Sequence, residues 1–170
     1  MKVLLVNGSA RANGCTHAAL TEVARALGEE GIETEQIFIG NQPLPDCIGC
    51  HKCRETGLCV FDDCVNRFVE KACSADGFVF GSPVYFAHPS ARLLTFMDRA
   101  FYSGGDAFAF KPAAAVLSAR RAGITASLDV IKQILYHLFH AGGIFDLLEP
   151  CLRPAAGAGN GGSRGPDDHV

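Results

Sequence analysis

Four cysteines, Cys47, Cys50, Cys53 and Cys59, follow the pattern C-x2-C-x2-C-x5-C. Four thiolates on so short a loop can wrap one small object, and Gly49 and Gly57 supply the backbone freedom a tight wrap needs. The spacing admits three occupants: a cubane iron-sulfur cluster, a tetrahedral zinc ion, or none, leaving free or disulfide-forming thiols. Cys64 lies just beyond, either as a fifth ligand or as a half-buried structural thiol at the start of a helix. His51, inside the loop, either donates a hydrogen bond to a sulfur or to an incoming acceptor, or is a solvated loop residue.

A second chemical motif precedes the first. Gly8-Ser9-x-Arg11-x-x-Gly14-x-Thr16 follows the apolar run Val3-Leu4-Leu5-Val6 and opens a segment of helical period. A phosphate dianion needs converging N-H donors, hydroxyls and a positive charge. The glycines free the backbone, Ser9 and Thr16 offer hydroxyls, Arg11 can pair with the anion, and a helix N-terminus supplies oriented amides. The alternative is an ordinary strand-to-helix turn with Thr16 as its cap. Neither a Walker lysine nor G-x-G-x-x-G is present, so a mononucleotide suits the loop better than ATP or a dinucleotide. Cys15 is either a reactive thiol at a helix N-terminus or a small filler, and His17 is a solvated first-turn residue.

The elements that must position these loops alternate strand and helix, which predicts an α/β fold with a parallel sheet covered on both faces. Strands are expected at Lys2 to Val6, Glu33 to Ile39 (polar and alternating, hence an edge), Gly77 to Gly81, Ala113 to Ser118, and Ile144 to Leu148. Helices are expected from Thr16 to a cap at Gly31, after Asp62-Asp63, from Pro89 to Ala100 with Leu94, Met97 and Phe101 on its apolar stripe, and through Leu128, Ile131, Leu135, Leu138 and Phe139 to Gly142-Gly143. Residues 1-148 read as one domain and 149-170 as an irregular Ala/Gly/Pro tail containing Cys151.

A chain of 170 residues, 48% apolar, can bury a substantial core without disulfides. No export signal is recognisable, so the eight cysteines read as cytoplasmic thiols or thiolates on a metal. No apolar run reaches the ~18 residues of a membrane span, and a net charge of -3 gives no electrostatic reason for nucleic-acid binding. No carboxylate pair, Ser-His-Asp set or H-E-x-x-H motif appears, and His137 and His140 at i, i+3 lack a third ligand for a metal site. That absence suits chemistry carried by a cofactor.

The stretch Val3 to Arg11, the segment Cys47-Ile48-Gly49-Cys50-His51-Lys52-Cys53 with Gly57-Leu58-Cys59 and Asp62-Asp63, and Gly81-Ser82-Pro83-Val84-Tyr85-Phe86 resemble the NADPH-dependent FMN reductase family, and within it the iron-sulfur flavoproteins. The resemblance covers about residues 1 to 131, in the same order. It implies a flavodoxin-like, doubly wound three-layer fold with strand order 2-1-3-4-5 and FMN at the carboxyl ends of the strands. It also implies that Ser9, Arg11, Asn13, Gly14, Cys15 and Thr16 hold the FMN phosphate. Ser82, Pro83, Val84, Tyr85 and Phe86 would line the ring, whose apolar faces suit the two aromatics, or else form a plain strand-ending turn. Ser118, Arg120 and Gly123 would complete the flavin edge, Arg120 and Arg121 being otherwise a solvated pair. Cys47, Cys50, Cys53 and Cys59 match the family's [4Fe-4S] ligands, and His88 is a substrate contact or a helix-start residue. After about Gln133 the family's last strand and covering helix are not recognisable.

The expected function is an FMN-dependent oxidoreductase taking electrons from NAD(P)H and passing them to a small acceptor, or through the cluster to a ferredoxin-like protein. The rival is a non-catalytic, flavodoxin-like electron carrier; a zinc-stabilised binding module is a third reading. The family implies a homodimer or homotetramer.

Overall fold

The computed structural model describes residues 1–137. The expected strand at 144-148, the end of the last helix, His140, Cys151 and the tail at 149-170 lie outside the described residues.

Strand β1 (Lys2–Asn7) is an apolar run buried on both faces, as a central parallel strand must be. It pairs in parallel with β2 (Glu33–Phe38) on one side and β3 (Gly77–Tyr85) on the other. β5 (Ala113–Ser118) runs parallel to β3 on its far side. A two-residue strand, β4 (His88–Pro89), folds back antiparallel onto the end of β3. The long parallel strands thus stand in the order β2-β1-β3-β5, as expected for the first four of a flavodoxin-like sheet. β2, with its mixed exposure, is the polar edge.

Helix α1 (Cys15–Glu29) lays Leu20 against Val3, Leu5 and Val79 on one face of the sheet. On the other face α3 (Cys64–Cys73) and α4 (Ala91–Phe108) close a larger core, in which Phe68 meets Phe78, Phe80, Phe96 and Phe108. The last described helix, α5, occupies 124–137, and its Ile131 and Leu135 join this second core. A short helix, α2 (Cys53–Thr56), lies in the cysteine loop.

Three local expectations change. The helix expected from Pro89 to Ala100 starts after a Ser90 cap and runs on to Phe108. Its fully buried face is Leu93, Phe96, Met97 and Ala100, whereas Leu94 and Phe101 are only partly buried. The helix bends at Gly104, where an added Cβ would stand 2.4 Å from Val69, so the bend lets α3 and α4 come close. β3 does not stop at Gly81; it carries Ser82, Pro83, Val84 and Tyr85 as strand, because β4 and β5 both pair with that extension. Finally, the cap of α1 is Gly14 rather than Thr16.

Candidate functional site

Parallel strands deliver their following loops to one edge of the sheet. Here three such loops, after β1, β3 and β5, are tied to one another. The Gly8 N-H donates to the Gly81 carbonyl at 2.8 Å, and the Ser90 hydroxyl donates to the Gly8 carbonyl at 2.8 Å. A Cβ on Gly8 would lie 2.8 Å from the Leu93 Cβ and 2.9 Å from the Gly81 oxygen, so glycine is what allows the first loop to seat on the second. The first and third loops meet where the Thr16 and Ser118 hydroxyls share a 3.0 Å hydrogen bond. The second and third meet at Gly123 (φ +93°), where a Cβ would be 2.4 Å from the Ala87 Cα.

Within the first loop the buried Asn7 side chain accepts from the Ser9 N-H and donates to the Ala12 carbonyl, while the Ser9 hydroxyl accepts from the Arg11 N-H. No side chain caps α1, so no side-chain acceptor occupies its first amides. Arg11, Asn13 and Cys15 are exposed around that opening and Gly14 is half-buried. Thr16 differs from its expected role: it is buried, and its hydroxyl faces Ser118. The arrangement suits an anion, with uncapped amides at the helix start and the exposed Arg11 adjoining Gly14.

Ser82 is fully buried, donating to the Pro83 carbonyl and accepting from the Ser90 N-H, so it braces the second loop from behind. Pro83 and Val84 are half-buried, Tyr85 is exposed, and Phe86 is 105% exposed at the tip of the β3-β4 hairpin. Phe86 (φ 50°) and Ala87 (φ 61°) both take left-handed backbone, the geometry of a tight two-residue hairpin turn without the glycines that usually relieve it. This offers a bare apolar edge beside the first loop, the kind of surface a flat ring with a polar rim can lie against. Arg120 and Arg121 are exposed on the third loop, and the His88 ring pairs with the Pro89 carbonyl.

The cysteine loop leaves the carboxyl end of β2. Cys47, Cys50, Cys53 and Cys59 line one cavity of about 340 Å³, closed by Phe61, Arg99 and Tyr102. All four are free thiols, the first two exposed and the others half-buried. Gly49, His51 and Gly57 take positive φ, which curls the chain around the cavity. The Gly57 N-H donates to the Cys53 carbonyl at the end of α2. Among the described residues no three His, Cys, Asp or Glu side chains are drawn together tightly enough to hold a single ion. A cubane presents each iron at its own corner, so its thiolates need not meet at one point; four thiols around one cavity of this size fit that group.

Residues not anticipated from the sequence hold this loop. Asn66 accepts from the Cys59 N-H and donates to the Cys59 and Phe61 carbonyls. Arg99 is 1% exposed; it donates through Nε to the Cys59 Sγ at 3.2 Å and forms a bidentate pair with Asp63 at 2.7 and 3.0 Å. Burial opposes its charge, but hydrogen bonds to Asp63 and Cys59 outweigh that and hold its pKa above the ordinary value. Asp63 also caps α3 through the Val65 N-H. On the cavity wall, partial burial first and the nearby Asp46 second raise the Asp98 pKa from its ordinary value. Cys64 packs against the core, away from the cavity lining, and burial followed by the Asp63 charge raises its pKa. Its position matches the structural-thiol reading rather than a fifth ligand.

Comparison with known proteins agrees with this geometry. Residues 1–145 match the model of the NADPH-dependent FMN reductase family. An iron-sulfur flavoprotein of Methanocaldococcus jannaschii is 46% identical over 99 residues, 58% of this chain and 51% of that protein. One from Methanosarcina thermophila is 32% identical over 111 residues, 65% of this chain and 58% of that protein. The chain spans only about half the length of such relatives. Among solved structures, an NADH:FMN oxidoreductase superposes with a TM-score of 0.61 at 20% identity, covering 81% of this chain and 68% of the other. An archaeal flavodoxin superposes at 0.56 and 14% identity, covering 82% and 76%. With the family match running from the first strand past the last described helix, and the three loops in place at the sheet's carboxyl edge, the chain belongs to the NADPH-dependent FMN reductase family.

Proposed function

We propose that this chain is the FMN-binding redox unit of an NAD(P)H-dependent oxidoreductase of the iron-sulfur flavoprotein type. The observation that carries the reading is the pairing of two sites on one scaffold: three mutually locked loops around an open helix N-terminus, and a cavity lined by four free thiols. FMN, when bound, would supply hydride acceptance from a nicotinamide and release of electrons one at a time. The protein's own part is binding and orientation. The Ser9 hydroxyl, the Arg11 guanidinium and the first amides of α1 hold the phosphate, with Asn13, Gly14 and Cys15 forming its rim. Tyr85 and Phe86 cover the ring with apolar surface, and Ser118, Arg120 and Gly123 border its edge. Thr16 acts one step back, fixing Ser118. Cys47, Cys50, Cys53 and Cys59 would hold a [4Fe-4S] cluster that passes electrons to a small acceptor or a ferredoxin-like partner. Phe86, fully exposed at a hairpin tip, suits burial against a second copy of the chain, consistent with a homodimer or homotetramer.

The test is an anaerobic ultraviolet-visible spectrum with FMN, iron and sulfide quantified on the same reconstituted sample, followed by NADH and NADPH oxidation assays. Flavin bands over broad iron-sulfur absorbance, with about four irons per chain and nicotinamide turnover, are expected. Flavin without iron would reduce the reading to a plain FMN reductase. Rapid exchange with ferredoxin but no nicotinamide turnover would make the chain an electron carrier.

A further inference from the structure

The guanidinium of Arg99 has five N-H groups, and each has an acceptor. Two go to the Asp63 carboxylate, one to the Pro45 carbonyl, one to the Phe61 carbonyl, and the Nε-H goes to the Cys59 Sγ at 3.2 Å. The side chain is fully buried, and its carbon stands 5.1 Å from the Phe61 ring centroid. The fork therefore cannot turn away. Four bonds to three residues fix its plane, and the fifth N-H has one acceptor, the sulfur. The charge of this buried cation is paired with Asp63, so the Nε-H is left as a fixed, charge-assisted donor aimed at the sulfur.

Resting on the cluster reading above, we propose that Arg99 is a positioning residue that holds the Cys59 thiolate and sets the reduction potential of the cluster it ligates. A hydrogen bond to a ligand sulfur strengthens as the cluster gains negative charge, so it stabilises the reduced form more than the oxidised form and raises the potential. The donor is charged and desolvated, which places it at the strong end of such interactions. Asp63 keeps the charge paired and, as cap of α3, carries the geometry into the second core. The carbonyls of Pro45 and Phe61 flank the four cysteines in sequence, so the same guanidinium also clasps both ends of the loop.

The test compares reconstituted wild-type chain with Arg99→Lys, which keeps the charge but cannot reproduce the fork. Three properties are measured: iron content, midpoint potential by EPR-monitored titration, and exchangeable protons coupled to the reduced cluster by ENDOR in light and heavy water. The variant is expected to keep its iron. At the wild-type midpoint its reduced-to-oxidised ratio should fall about tenfold, a shift of ~59 mV to more negative potential for a one-electron couple. An exchangeable proton coupling present in wild type should be lost. An unchanged midpoint with the same proton coupling overturns the proposal, since a merely structural clasp would move stability alone. If the variant does not fold, wild type still decides, because a reduced cluster with no coupled exchangeable proton refutes a donor at Cys59. Wild-type protein that binds FMN but takes up no iron refutes the cluster reading and this one together, whereas iron with an unmoved potential refutes this one alone.

Discussion

Replacing Gly8 with alanine tests the claim that the three loops form one locked unit. The new methyl carbon would stand 2.8 Å from the Leu93 Cβ and 2.9 Å from the Gly81 carbonyl oxygen, and 3.1 Å from the Leu93 Cδ1. The Gly81 oxygen accepts the Gly8 N-H, so backing away from the clash lengthens the bond that seats the loop. The Leu93 side chain is fully buried on α4 and has little room to yield. Overpacking of this kind costs about 1–3 kcal/mol, and weakening the backbone bond adds about 1 kcal/mol. We expect Gly8→Ala to lose roughly 2–4 kcal/mol in urea denaturation of the apoprotein. FMN affinity, followed by quenching of flavin fluorescence, should fall at least tenfold, since each 1.4 kcal/mol spent moving the loop is about a factor of ten. A variant with wild-type stability and wild-type FMN affinity would show that the first loop is not seated on β3 and α4 as described, and the account of the phosphate site would fail with it.

A double-mutant cycle with Thr16→Val and Ser118→Ala should give a coupling of about 1 kcal/mol in denaturation, the size of one partly buried hydrogen bond; additivity within error would deny the link between the first and third loops. Ala87→Gly should raise stability by about 0.5–1 kcal/mol, because φ 61° strains alanine more than glycine, and a thermal melt showing destabilisation would contradict the hairpin geometry. Glu35 titrates below the ordinary carboxylate value, through hydrogen bonds with Lys71 and then Lys2. Its stabilising contribution is thus present above its unfolded pKa and lost as pH falls through the lower folded value. Glu35→Gln should therefore flatten the acid limb of the stability profile and leave the fall-off above pH ~10 less steep as well, since Lys2, raised by Glu35 first and Glu33 second, loses its main partner. An unchanged acid limb would remove the ion pairs from the account.

How far the sequence revealed all this depends on the range of the interactions. β1 was readable because both faces are apolar, and the loop after it because glycines and hydroxyls cluster within a few residues of the strand end. The cysteine spacing was equally local. The end of β3 was hidden by Pro83, which usually marks the end of a strand; here it lies past Gly81, the last residue paired with β1, where β5 and β4 still flank the chain. The phase of α4 slipped because several apolar residues surround the helix and only the long-range packing of Phe68 and Val69 selects among them. Arg99 was the largest omission. Its one sequence sign is that it lies in phase with Phe96, three residues back, on a buried face; its partners are 36 to 54 residues away along the chain, and nothing local announces them. Ser90 escaped for the same reason, its acceptor Gly8 lying 82 residues back; Asn66 is the local exception, its partners being 5 to 7 residues away.

α4 touches both sites. Ser90, its cap, holds the loop after β1 at Gly8, and Arg99, nine positions on, holds the sulfur of Cys59, with no break in helical backbone before Gly104. At about 1.5 Å per residue the two anchoring points are roughly 13 Å apart along the axis. The helix is in effect a spacer bar, and the separation of the two sites within one chain is written into its register. One residue inserted between positions 91 and 98 would lengthen that gap by about 1.5 Å and turn the far anchor by about 100°, swinging Arg99 off the cysteine loop while leaving the loops after β1 and β3 in place. Such an insertion would uncouple the two sites without touching a cysteine or a residue of the first loop, so the length of this one helix fixes how they stand to one another.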